Sequence, residues 1–221
     1  MKKIISTVML IIVVAPVMAQ TEEVISKKGK TLIFASEDPG LGNKVRSGLI
    51  KTFFKVYPKL AKDFNPETAD TVFVKIDTAY DGVAYAHNGK VTISSEWLKK
   101  KPGDTDVITH EVMHLVQNYP PDSGPGWLTE GIADYVRYVY GVDNKQAGWS
   151  LPEYREGNHY KDSYRVTARF LVWLTRHYNK NIVSVLDKNM RNKTYTPGLW
   201  QTCTTRSLDE LWAEYQRAPA L

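Results

Sequence analysis

The chain changes character at Ser95. Before it lie segments of strand pattern and one long helical segment; after it, apolar residues recur only at helical spacing. Thr31 to Ser36 reads as a buried strand. Asn43 to about Lys62 repeats Val45, Leu49, Phe53, Val56 and Leu60 at helical spacing, and Thr71 to Asp77 alternates as a second strand. Gly82 to Ser95 reads as a hairpin around Asn88-Gly89, a pair suited to a tight primed turn. His87 beside it reads as an exposed turn residue. Helices are expected from Pro102-Gly103-Asp104 to about Asn118, capped by Asp104 or Thr105, and from Trp127 to about Tyr140. Further helices are expected over 161–178, 181–191 and 207–217, with a loose polar lead-in over 20–30. Strands first and helices after define an α+β fold.

The first nineteen residues read as an export signal rather than as part of that fold. Lys2 and Lys3 precede a short apolar run, Ile4 to Val14, and Val17-Met18-Ala19 offers a cleavage site that leaves Gln20 first. Residues 20–221 then form one domain, secreted or periplasmic, with no stable membrane insertion after signal cleavage. Cys203 is the only cysteine, so no disulfide forms within the chain and no lipid anchor follows the signal. The net charge of +5 comes without a dense basic stripe or aromatic platform, which argues against a nucleic-acid partner.

The chemistry concentrates in His110-Glu111-Val112-Met113-His114. Residues four apart share a helix face, so both imidazoles can reach one ion. Glu111 lies about 100° round the helix, beside the ion without binding it, where it can take a proton from a water that the metal activates. A catalytic zinc site needs a third protein ligand and an open position. The position six after His114 is Pro120, not a histidine. Glu130, in the first turn of the next helix, is the candidate, with fifteen residues between it and His114. Asp134 lies on the same face, where it can hydrogen-bond a ligating histidine and fix its tautomer. Leu128, Ile132, Val136 and Val139 are expected to face the core.

An H-E-x-x-H motif followed by a helix with Glu130-Gly131-Ile132-Ala133-Asp134-Tyr135 resembles the gluzincins, the thermolysin-like and aminopeptidase N-like zinc peptidases. The sequence is more similar to the plant basic secretory protein family and its bacterial relatives. Gly82 to Tyr85, His110 to Gln117, Glu130 to Arg137 and Tyr164 to Leu171 carry that likeness. The resemblance implies a zincin, with a small mixed sheet and edge hairpin followed by a helical half that holds the site. It implies Zn2+ on His110, His114 and Glu130, Glu111 as general base and Asp134 behind the ligands. It also directs attention to Tyr164, at a helix start after the third ligand, as an oxyanion donor, with His159 and Tyr160 as weaker candidates. The interval from His114 to Glu130 is shorter than in thermolysin-like enzymes, which bears on the intervening loop and not on the ligand set.

The resulting expectation is a secreted zinc-dependent peptidase acting on peptide or protein substrates. An endopeptidase fits best if the strand Lys90 to Ser95 lies at the sheet edge and pairs with an extended peptide. The alternative is a secreted binding protein with a vestigial or structural metal, although no fourth ligand to close such a site is evident.

Overall fold

A computed structural model describes residues 21–221, so the export signal lies outside the described residues. The chain enters through β1 (Thr21–Lys27) and β2 (Lys30–Ser36), then α1 (Asn43–Asp63), β3 (Thr71–Asp77), β4 (Ala84–His87) and β5 (Lys90–Ser94). Eight α-helices are present among the described residues. After α1 come α2 (Ser95–Lys100), α3 (Val107–Gln117), α4 (Gly126–Tyr140), α5 (Tyr164–His177), α6 (Ile182–Arg191), α7 (Gly198–Thr204) and α8 (Leu208–Arg217). None of the described helices is long and apolar enough to cross a membrane.

The five strands run in the order β1-β2-β3-β5-β4. The three inner strands are parallel to one another, and each outer strand is antiparallel to its neighbour. Two expectations change here. Residues 20–30 are not a loose lead-in: Thr21–Lys27 is an edge strand, returned by Lys28 and Gly29, both at positive φ. Its residues show no apolar alternation because it is held by backbone pairing, not by burial of one face. Lys90–Ser94 is not an edge either, since it sits between β3 and β4.

The edge beside α3 belongs to β4. Asn88 and Gly89 are both at positive φ, as a two-residue primed turn requires, so His87 and Lys90 form the hydrogen-bonded pair next to the turn. Pairs then alternate along the ladder. Tyr85 bonds inward with Thr92, and the Val83 carbonyl accepts from the Ser94 N–H at 3.0 Å. The backbone groups of Ala84 and Ala86 therefore point outward. His87 is exposed in this turn, as expected.

Leu32, Phe34, Val72, Val74, Ile76, Val91 and Ile93 bury completely, or nearly so, and join Phe53, Tyr57 and Leu60 of α1 and Ile108, Val112 and Val116 of α3 in one core. The helix expected from Pro102 starts later: α2 ends at Lys100, residues 101–106 form a turn, and α3 begins only after Asp106, not after Asp104 or Thr105. The fully buried Asp106 carboxylate accepts from Thr109 Oγ1 at 2.8 Å and from the Val142 N–H at 2.9 Å. It thus ties the start of α3 to the loop leaving α4. Leu128, Ile132 and Val136 of α4 are buried, but Val139 is 51% exposed: it has drifted off the buried stripe by the last turn. The close approach of α4 to α5 needs Gly131, where a Cβ would stand 2.2 Å from Thr167 Cγ2.

Candidate metal centre

α3 is buried almost all round, and what it places between itself and α4 is polar. His110 and Glu111 are only 8% and 5% exposed. One turn of helix sets His114 Nε2 3.1 Å from His110 Nε2. From the second turn of α4, Glu130 Oε2 reaches to 3.2 Å of His110 Nε2 and 3.4 Å of His114 Nε2. Ligands about 2.0–2.1 Å from a tetrahedral ion stand about 3.3 Å apart, and these three separations match.

The outward nitrogens are also committed. His110 Nδ1 lies 2.7 Å from Asp134 Oδ1. His114 Nδ1 lies 2.7 Å from Gln117 Oε1, and Gln117 Nε2 donates to the Thr129 carbonyl at 2.9 Å, which fixes the amide with its oxygen toward the histidine. Both Nδ1 atoms therefore carry hydrogen. With that tautomer, two nitrogen lone pairs and a carboxylate oxygen converge on one point, an arrangement that repels itself unless a cation or a proton lies at its centre. The donor set fits a divalent metal such as zinc.

The electrostatics agree. Burial pulls the His110 imidazole down, but the Asp134 and Glu130 carboxylates outweigh it and hold it up at about 10. Burial pushes the Glu130 carboxyl up, yet His110 and His114 hold it down at about 2. Glu111 is raised, by burial first, with the two histidines opposing the shift.

The sequence reading placed Asp134 behind a histidine but missed Gln117, which does for His114 what Asp134 does for His110. Its spacing, three residues after His114, was the available signal. Asp134→Asn and Gln117→Leu should each weaken zinc affinity by about ten- to a hundredfold, measured by competition with a chelating dye. Unchanged affinity in either variant would make that contact incidental.

Tyr164 also comes to the site. Its ring centroid lies 6.1 Å from that of His110, at 17°. The phenol is raised, first by the charge of Glu130 and then by burial. Tyr164 opens α5 with φ 46°, directly after Ser163 at φ 62°. An aromatic residue in that region is strained, and the strain does not serve burial, since Tyr164 is 53% exposed. His159 and Tyr160 do not join it. His159 packs on Tyr160 and Trp212, and the Tyr160 hydroxyl donates to Asp209 at 2.8 Å. Tyr160 is used in the helical core, and His159 caps the short 3-10 turn (Tyr160–Asp162) ahead of α5. Tyr80, which the sequence reading did not single out, has a phenol raised by burial and then by Glu111.

A cleft of about 960 Å³ opens over this centre, lined by His110, Glu111, His114, Glu130 and Tyr164 and bounded by Ala84 to Ala86 of the free sheet edge. The fold is thus an α+β domain with three converging donors, a set that suits a metal ion, at the base of a cleft beside an open strand. A family profile described as BSP, peptidase of plants and bacteria, matches residues 41–215, and the chain belongs to this family of peptidases. No curated protein matches the chain. Among solved structures it is similar to an M1 zinc metallopeptidase from Deinococcus radiodurans, at 13% identity and a TM-score of 0.49, covering 83% of this chain and 48% of that one. A mutant M1 zinc metallopeptidase from the same organism aligns at 12% identity and a TM-score of 0.41, covering 90% and 48%. The chain spans about half the length of these two structures.

Proposed function

We propose that the protein is an exported zinc-dependent peptidase of the gluzincin kind, holding its metal through His110, His114 and Glu130. The observation that carries this reading is the convergence of three electron-pair donors 3.1–3.4 Å apart, with both outward histidine nitrogens hydrogen-bonded. Zinc, when bound, acidifies a water molecule and polarises the scissile carbonyl. Glu111 accepts a proton from the attacking water on its carboxylate, whose basicity burial raises, and returns it to the leaving amine. The Tyr164 hydroxyl donates a hydrogen bond to the oxygen that gains charge. Ala84 and Ala86 offer outward N–H and C=O groups to an extended peptide, and their small side chains leave it room. An open strand of this kind suits an endopeptidase.

Digestion of a peptide mixture that includes N-terminally blocked members tests this reading, run with and without a chelator and read by mass spectrometry. Internal cuts that stop on chelation are expected. Stepwise loss of N-terminal residues would replace the endopeptidase by an aminopeptidase, and no cleavage with zinc bound would favour the binding-protein alternative. Tyr164→Phe removes only a hydroxyl and should slow cleavage by about a hundredfold with zinc content unchanged. An unchanged rate would return Tyr164 to a packing role.

A further inference from the structure

The cleft does not end at the metal centre. Glu130, Asp134 and Arg137 form one stripe on α4, and all three line the cleft. The last lies seven positions after the first, about 10 Å along the helix. An extended peptide covers that distance in about three residues. We propose that Arg137, flanked by Lys101 and Arg165, forms a subsite that receives a carboxylate of the peptide substrate about three residues from the scissile bond. The proposal rests on reading the cleft as a peptide-binding groove.

Arg137 is 5% exposed, an unusual degree of burial for a cation facing a cleft. It is held from three sides. Nη2 donates to Asp104 Oδ1, Nε donates to Asn144 Oδ1 at 3.1 Å, and the guanidinium lies 4.6 Å from the centroid of the Trp149 ring. The other Asp104 oxygen is occupied by Trp97 Nε1 at 3.0 Å. No acceptor lies against Arg137 Nη1 among the described residues, and this nitrogen is not among the buried unpaired side-chain atoms, so it keeps some exposure on a side chain that lines the cleft. Lys101 and Arg165 line the same cleft, and neither forms an ion pair among the described residues. Arg165 Nη1 reaches the Ser150 carbonyl, next to Trp149, at 3.2 Å.

The charges of the cleft are therefore segregated. Glu111, Glu130 and Asp134 gather at the metal, while Lys101, Arg137 and Arg165 at the far end face only Asp104, whose oxygens are already used. A guanidinium edge fixed by neighbours and partly dried by the Trp149 indole is preorganised for a carboxylate. That carboxylate can be an Asp or Glu side chain or the C-terminus of the peptide.

Isothermal titration calorimetry on the zinc-loaded Glu111→Gln protein can decide, using blocked octapeptides in which one Glu is walked along a neutral sequence, each made as C-terminal acid and as amide. One Glu position, or the free C-terminus, should bind about tenfold tighter than its Gln or amide counterpart. The first outcome identifies a side chain and the second a terminus. The preference should shrink several-fold in a Lys101→Gln/Arg165→Gln protein, both sites being exposed, and be lost in Arg137→Lys, which retains a cation for Asp104. Affinities all within twofold, no binding, or a preference untouched by these variants would overturn the proposal, the last because the carboxylate would then sit on the metal. Failure of the peptidase reading is seen separately, as absence of cleavage of the same peptides by the unsubstituted protein.

Discussion

Glu111→Gln should reduce peptide cleavage by about a thousandfold while leaving about one zinc ion per chain. The amide is isosteric with the carboxylate and cannot take up the proton, so the change isolates proton transfer from shape. Glu111 is buried on α3 and lines the cleft, yet none of its atoms belongs to the cluster of donors formed by His110, His114 and Glu130. Metal content by plasma emission spectroscopy and turnover of an internally quenched peptide must therefore separate. If zinc leaves together with activity, Glu111 is a ligand and the assigned roles are wrong. If activity persists with zinc bound, another group is the base.

The second large effect belongs to the ligands. His110→Ala, His114→Ala and Glu130→Ala should each lose both zinc occupancy and activity, because three protein donors leave no redundancy. Protons compete for the same lone pairs. Since His110 is held above its ordinary value, zinc has to displace a proton from it at neutral pH, and occupancy should fall further as pH is lowered and recover as it is raised. Equilibrium dialysis against limiting zinc across pH reads this directly. An alanine variant that retains full occupancy would remove that residue from the ligand set.

Much of this was legible in one sequence. The spacing of Val45 to Leu60 located α1, the alternation in Thr71–Asp77 located β3, and Asn88-Gly89 located the hairpin, because each signal is local. The paired imidazole donors were legible for the same reason: four residues on a helix put His110 and His114 on one face regardless of what surrounds it. β1 was not legible, since its residues hold their place through backbone pairing that leaves no mark on side chains. α7 was missed because Gly198 to Thr204 is too short to display a period. The helix expected from Pro102 begins too early because the turn at Asp104 to Asp106 depends on partners at Trp97, Arg137 and Val142, all distant or around a turn.

By itself, then, the sequence determined the motif, its helix, the change from strand-bearing half to helical half at Ser95, and the candidate set His110, Glu111, His114, Glu130 and Asp134. These follow from intervals of a few residues, over which helix and strand geometry are nearly invariant. Only the tertiary structure decided which strand is the open edge, that Asp134 serves His110 while Gln117 serves His114, and that Arg137 shares a cleft with the metal centre. Those facts depend on how α3, α4 and the sheet pack, and packing is set by the sum of many long-range contacts that no single interval in the chain records.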